Sequence, residues 1–404
     1  MKTDQIQKVH KDWYKLDLSA IVYPTLQRRD FSSVYRLSVL LKEDIDPEIL
    51  QRAVNLTMPR FPTYKAAIRK GVFWRYLEPN DRPGPFVQED VKNPCQPMHF
   101  KGNNRYLVRI YYYRNRIALE AHHSLGDGTG GMCVLQTLTD TYLRLKGHSE
   151  IENGGFVLDI LGIPDPGELE DAYMKYANAK VCPPRPGEKT YRVRGTKEPF
   201  YTLNIIDGIM SVSEVMQVAK SYNATITEYL NSVLLYALMQ KQESEWHLKL
   251  RPVKIAMPVN LRRFFPSRTL RNFITMIYPG IDPRLGEYTF EEIVTQVHNY
   301  MRYYLNEKLL RGDITTNAET QRNPFIRIVP LFIKDLVVRQ FYTKIQDKNS
   351  SAGLTNMGAL KVPETMKPYI ERFDIYMGQP FSTRTNCAIA SFEDILTINF
   401  ASSI

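Results

Sequence analysis

Ala121-His122-His123-Ser124-Leu125-Gly126-Asp127-Gly128 is the stretch on which the fold turns: two adjacent imidazoles followed by a glycine-rich turn. Upstream, Tyr106 to Tyr113 and Arg116 to Ala121 are rich in β-branched, aromatic and apolar residues and read as two strands joined at Arg114-Asn115. The motif therefore ends a hairpin. Side chains alternate along a strand, so Ile117, Leu119, Ala121 and His123 share one side, while Ala118, Glu120 and His122 share the other. The two histidines then point apart: one can face a reaction channel, and the other can only support it through packing or hydrogen bonds. Beyond Gly131, the residues Val134, Leu135, Leu138, Tyr142, Leu143 and Leu145 give helical periodicity, with Gly147 as a stop. The motif joins strand to helix.

Outward from the motif, Tyr35 to Leu41 alternates as a strand, and Asp46-Pro47 reads as the N-cap and first position of a helix reaching about Met58. Phe73 to Leu77 reads as a further strand, and the proline-rich run from Pro79 to Pro97 as loop. Between Gly154 and Gly195 the composition shifts towards proline around one acidic, helical piece from Glu168 to Ala179, which suits a crossover between domains. The second half repeats the first half's order of elements. A strand at Phe200 to Ile206 precedes two capping-box patterns, Ser211 to Glu214 and Thr225 to Glu228, the latter opening an apolar helix to Met239. Val253 to Pro258 reads as a buried strand, and Thr289 to Glu292 opens a helix through about Leu310. The expected division is residues 1–185 and 186–404.

The 404 residues exceed the roughly 250 to 300 at which one core usually stops growing, which agrees with two domains. The formal net charge of +10 suits a polyanionic partner, whether nucleic acid, an acidic membrane surface or a phosphorylated cofactor. The basic residues are dispersed and form no nucleic-acid motif, so nucleic acid is not expected. Cys95, Cys133, Cys182 and Cys387 lie far apart and read as reduced thiols. No signal-peptide core and no apolar run of membrane-spanning length is present, so a cytoplasmic protein without a transmembrane segment is expected.

Three other chemistries use the motif's residues. Gly126 to Gly131 fits Gly-x-Gly-x-x-Gly between strand and helix, but Asp127 would set a negative charge against a pyrophosphate, and no second parallel strand follows to carry a ribose-binding acid. A metal held by His122, His123 and Asp127 is disfavoured because adjacent strand residues diverge. Serine chemistry at Ser124 would need a glycine where His122 stands.

His-His-x-x-x-Asp-Gly, met in full by His122, His123, Asp127 and Gly128, resembles the signature of the coenzyme A-dependent acyltransferase superfamily. That superfamily includes chloramphenicol acetyltransferase, the condensation domains of peptide synthetases and the alcohol acetyltransferases. Pro59-Arg60-Phe61-Pro62, Pro258 to Arg262 and Ser391 to Ile398 look like bacterial alcohol-acetyltransferase-like members, so the resemblance covers most of the chain. The Asp-Phe-Gly-Trp-Gly motif of the plant branch is absent, and Phe373 to Gly378 only echoes it.

The resemblance implies an α/β fold of two chloramphenicol acetyltransferase-like halves, each a mixed sheet flanked by helices, with a channel between them. It also implies that His123 is the general base, Asp127 is mainly structural and Gly128 keeps the turn tight; His122, also a candidate of the motif, reads from the strand alternation as a supporting or plain hydrogen-bonded strand residue. A neutral imidazole, with an ordinary pKa near 6.5, can take a hydroxyl's proton as it attacks a thioester, which agrees with that role. Asp127, if buried, needs a partner, and an arginine suits it. In the second half, Arg262, Arg268, Arg271 and Asn272 resemble the segment expected at the coenzyme's phosphates, with a solvated basic loop as the alternative. Thr355 and Asn356 resemble a segment facing the channel, where a hydroxyl or amide could stabilise an oxyanion; a plain turn is the alternative.

The implied reaction moves an acyl group from acyl-coenzyme A, a co-substrate and not a tightly bound cofactor, to an alcohol or amine. No metal is required, and a single subunit can build the channel. The alternatives are a carrier-protein-dependent condensation-type domain, or a non-catalytic relative used for binding.

Overall fold

Strand Val34–Leu41 is buried along its whole length, and the first sheet is built around it. The computed structural model describes residues 13–27, 31–148, 151–152, 154–180, 188–199, 202–245, 249–344, 349–378 and 383–404. On one flank Val34–Leu41 pairs antiparallel with Arg116–His122, setting Val34 opposite His122 and Tyr35 opposite Ala121. Arg116–His122 continues the hairpin to Val108–Tyr113, as the sequence predicts. One face of the sheet carries Leu37, Val39, Ile117 and Leu119 into the core; the other carries Arg36, Glu120 and Arg109, which form a buried ion-paired cluster. Both faces are thus covered, which is why the strand reads as almost continuously apolar.

On its other flank Val34–Leu41 pairs with Ile370–Met377, a strand from the far end of the chain. The five-stranded sheet is completed by Val87–Glu89, parallel to Val108–Tyr113 and inside the stretch expected to be loop. A second, seven-stranded sheet runs in the order Ile274–Ile277, Val253–Asn260, Ala352–Ala359, Thr385–Phe392, Ile395–Ser402 and Asn204–Ser211, with Gly280–Ile281 also pairing to Val253–Asn260. It mixes parallel and antiparallel pairs. A small third sheet joins Tyr14–Lys15, Arg75–Pro79 and Ala66–Lys70. The result is a two-lobed mixed α/β architecture.

The helix starts follow the caps. Asp46 accepts from the Glu48 and Ile49 amides and opens Pro47–Thr57. Reciprocal capping boxes at Thr225/Glu228 and Thr289/Glu292 open Ile226–Ser244 and Phe290–Tyr304. The helix expected to reach Leu310 stops at Tyr304 because Asn306 caps a new one, Glu307–Arg322. The strand expected at Phe73 begins at Arg75: Gly71 donates to the Trp74 carbonyl at 2.8 Å, which closes a hairpin tip over Val72, Phe73 and Trp74. In the crossover the helical turns are Pro166–Leu169 and Ala172–Tyr176. The expected division between residues 185 and 186 lies outside the described residues.

Helix Gly128–Leu145, which follows the motif, is buried on every side from Gly130 to Leu143. Its periodicity marks a core element, with Thr137, Thr139 and Thr141 buried beside the leucines and two of them bonding back to carbonyls four residues earlier. The core around it also takes Phe373, Ile375, Ala388 and Phe392 from the second half.

Candidate active site

Asp127 is the N-cap of the motif helix, and its buried carboxylate is filled from both halves of the chain. Oδ1 accepts from the amides of Thr129 and Gly130, each at 3.1 Å. Oδ2 accepts from Arg262 Nη1 at 2.8 Å and from the Phe273 amide at 2.9 Å. An acceptor-only group with five N–H donors around it, Arg262 Nη2 being the fifth at 3.3 Å from Oδ1, has little left for a ligand, so Asp127 holds the turn in place. His122, His123 and Asp127 therefore do not converge on a common point.

The glycines of the turn are needed for close approach. A Cβ on Gly130 would lie 1.9 Å from the Leu270 carbonyl oxygen, and one on Gly126 would lie 2.4 Å from the same atom. Only a bare backbone lets the second half's Thr269 to Asn272 segment pack so tightly on the motif. Gly128, the glycine of the resemblance, is less constrained: a Cβ there would meet the Met357 sulfur at 3.0 Å, the end of a flexible side chain.

The two histidines differ as their strand positions predict. His122 is fully buried, its Nδ1 accepts from the Ser124 amide at 3.2 Å, and Phe100 packs edge-on against the ring. Since Nδ1 is an acceptor, the neutral ring carries its proton on Nε2. Burial, with a smaller contribution from neighbouring His123, pushes the imidazole down to about 3. The Ser124 hydroxyl is itself buried.

His123 lies on the opposite side and is partly accessible. Its ring stacks on Tyr23, with centroids 4.8 Å apart, and Tyr35 packs against it at 4.6 Å. The His123 amide donates to the Ser33 carbonyl at 2.8 Å, and its own carbonyl accepts from Asn272 Nδ2 at 2.8 Å. Nδ1 is buried and unpartnered, as is Oδ1 of Asn272. Burial lowers the imidazole to about 4, although the nearby Asp127 charge and the Asn272 side chain push it the other way. The ring is thus neutral at pH 7 and retains a lone pair.

The candidates from the second half fall into two groups. Arg262 donates all five of its guanidinium N–H groups within the protein, to Asp127, Asn260 and the carbonyls of Thr269 and Arg271. Arg271 is buried, facing Asp17 at 3.6 Å and the Lys15 carbonyl. For these two the phosphate contact expected from the resemblance gives way to internal bonds. Asn272 is likewise internal, bridging the His123 carbonyl to Asp17 at 3.1 Å. Arg268 is exposed and pairs with Asp165 at 3.2 Å. Asn356 donates to Thr227 Oγ1 at 2.9 Å and accepts from the Gly358 amide at 2.7 Å, whereas Thr355 is partly buried on strand Ala352–Ala359.

Sequence reasoning missed Tyr23 and Tyr35 beside the ring, Asp17 behind Asn272, and Asn260, which donates to Thr129 Oγ1 at 3.1 Å. Tyr35 was readable as a core-face neighbour of Ala121; the others come from segments remote in sequence and gave no local signal. A cavity of about 280 Å³ lies elsewhere, on the ion-paired face of the first sheet beside Arg36, Asp90, Arg109 and Glu120.

No protein-family model and no curated protein matches this chain. Solved structures do. A trichothecene 15-O-acetyltransferase from Fusarium sporotrichioides is 12% identical, with a TM-score of 0.61, over 96% of this chain and 90% of that one. The polyketide synthase associated protein 5 from Mycobacterium tuberculosis is 14% identical, with a TM-score of 0.58, over 96% and 92%. A starter condensation domain of rhizomide synthetase, solved in complex with C8-CoA, is 11% identical, with a TM-score of 0.61, over 99% and 91%. The chain has the fold these proteins share, that of the coenzyme A-dependent acyltransferases and condensation domains.

Proposed function

We propose that this chain is a coenzyme A-dependent O-acyltransferase that moves an acetyl or longer acyl group from acyl-coenzyme A to an alcohol, or to an amine, with His123 as the general base. The observation that carries the reading is the state of His123: neutral, partly accessible, clamped between Tyr23 and Tyr35, and fixed through its backbone to Ser33 in one half and Asn272 in the other.

In this reading His123 takes the proton of the acceptor hydroxyl as its oxygen attacks the thioester carbonyl. The tetrahedral intermediate then collapses, the carbon–sulfur bond breaks, and the imidazolium returns its proton to the departing thiolate. An ester and free coenzyme A leave, with no covalent enzyme intermediate. A positioned base of this kind contributes typically ~10² to 10⁴-fold. We assign the oxyanion's donor to the Thr355 hydroxyl, since the Asn356 amide is already engaged. For the coenzyme's phosphates we assign Arg268 together with Arg263, which is also exposed and approaches Gly358.

A thiol-release assay with acetyl- and octanoyl-coenzyme A across a panel of alcohols and amines tests donor and acceptor together. Turnover that His123→Ala removes supports the reading. Release of thiol only when the acyl group is presented on a carrier protein would favour the second reading, a condensation-type domain, to which the fold of the condensation-domain neighbours lends weight. No transfer from either donor would leave a binding role.

A further inference from the structure

Helix Leu331–Lys344 lies on the protein with its faces reversed. The residues turned inward are polar: Asp335 forms a double hydrogen bond with Arg75, at 2.8 and 2.6 Å, and accepts from Thr25 Oγ1 at 2.9 Å. Lys334 donates to the Phe73 carbonyl at 2.9 Å, and Arg339 Nε donates to the Thr25 carbonyl at 2.8 Å. The residues turned outward are apolar. Phe332, Leu336 and Val337 are between 61% and 73% exposed, with Ile333 beside them.

The surface continues past this helix. Phe325 and Ile328 of the preceding helix, Pro324–Ile328, are 76% and 68% exposed. The Leu331 amide donates to the Val72 carbonyl at 2.8 Å, so the exposed hairpin tip Val72-Phe73-Trp74 adjoins the same face. A contiguous apolar surface of this kind, held in place by polar bonds beneath it, is an interaction site.

Charge selects the occupant. Residues 321–340 hold four basic side chains, Arg322, Arg327, Lys334 and Arg339, against one acidic, Asp335, which is neutralised by Arg75. Arg322 and Lys334 donate to backbone carbonyls, which leaves their charge in place. With the chain's formal net charge of +10, a second copy would meet like charge across this face. An apolar helical face with exposed Arg322, Arg327 and Arg339 on the same segment and a tryptophan at its margin fits the pattern of interfacial membrane binding.

We propose that the outward face of Pro324–Ile328 and Leu331–Lys344, together with the hairpin tip at Val72 to Trp74, docks on an anionic membrane surface. The helix lies flat there, because its polar face stays bonded to Arg75, Phe73 and Thr25. Among the described residues no helix is long and apolar enough to cross a membrane. This inference does not depend on the transfer chemistry.

Co-sedimentation of the full chain with vesicles tests it. Binding is expected to equimolar phosphatidylcholine and phosphatidylglycerol, much weaker binding to phosphatidylcholine alone, and release by salt. The double substitution Phe332→Glu/Leu336→Glu should lower anionic-vesicle binding at least about tenfold without moving the thermal melt, since both side chains face outward. Absence of binding to anionic vesicles, or equal binding by the double variant, overturns the proposal. So does a dimer in sedimentation equilibrium that the double variant disperses while vesicles are ignored, which would identify a second copy as the occupant.

Discussion

Asp127 Oδ2 and Arg262 Nη1 lie 2.8 Å apart, and this contact ties the turn after the histidines in the first half to the strand end of the second. Both side chains are largely buried, and each is hydrogen-bonded further, so removing one strands the other. Asp127→Ala and Arg262→Ala should each cost about 3 to 5 kcal/mol of stability, read from denaturant unfolding. Arg262→Lys should not rescue, because a lysine cannot reach Asp127, Asn260 and two carbonyls at once. A double variant no worse than either single one is the expected cycle; additive losses would contradict the pairing.

His123→Ala should lower transfer by ~10² to 10⁴-fold or more while the protein stays folded at pH 7. Because burial holds this ring at about 4, the acid limb of kcat/KM should fall near that value and not near 6.5. A well-folded variant that keeps its turnover would remove His123 from the reaction.

The buried rings also make stability depend on pH. In the unfolded chain an imidazole takes its proton as pH falls through about 6.5; in the folded chain His122 resists until about 3 and His123 until about 4. Their contribution is complete above the unfolded pKa and is lost as pH drops from there towards the folded values, at up to about 1.4 kcal/mol per pH unit for each ring. His122→Asn, whose amide oxygen can still accept from Ser124, should flatten the stability curve over that window. A curve parallel to wild type would argue against a neutral buried His122.

The close approach at the turn predicts a contrast between neighbouring glycines. Gly130→Ala forces a Cβ into the Leu270 carbonyl and should cost at least about 3 kcal/mol, whereas Gly128→Ala meets only the movable Met357 sulfur and should change stability by less than about 1 kcal/mol. Thermal melts of the two variants make the comparison.

The hairpin, its turn at Arg114-Asn115, the opposed histidines and the caps at Asp46, Thr225 and Thr289 were legible because each is set within a few residues by alternation or by a local hydrogen bond. Asp127's need for an arginine was legible from its charge; that the arginine is Arg262 was not, since 135 residues separate them and only the packed fold joins the two. The same limit explains the internal bonding of Arg271 and Asn272: a basic cluster looks alike in sequence whether its charges meet solvent or a buried aspartate such as Asp17. Val87–Glu89 escaped notice because three residues leave no period to read, and its strand character comes from the neighbour it pairs with.

Strand Ile370–Met377 carries a consequence for how the molecule is made. Its partner Val34–Leu41 leaves the ribosome well before it but finds this neighbour only when synthesis has passed residue 377. Until then a strand apolar at six of its eight positions has one row of amides and carbonyls open to any other chain, the condition under which nascent proteins aggregate. A fragment covering residues 1–185 should therefore collect in inclusion bodies or on chaperones, and supplying residues 186–404 in the same cell should draw it into solution.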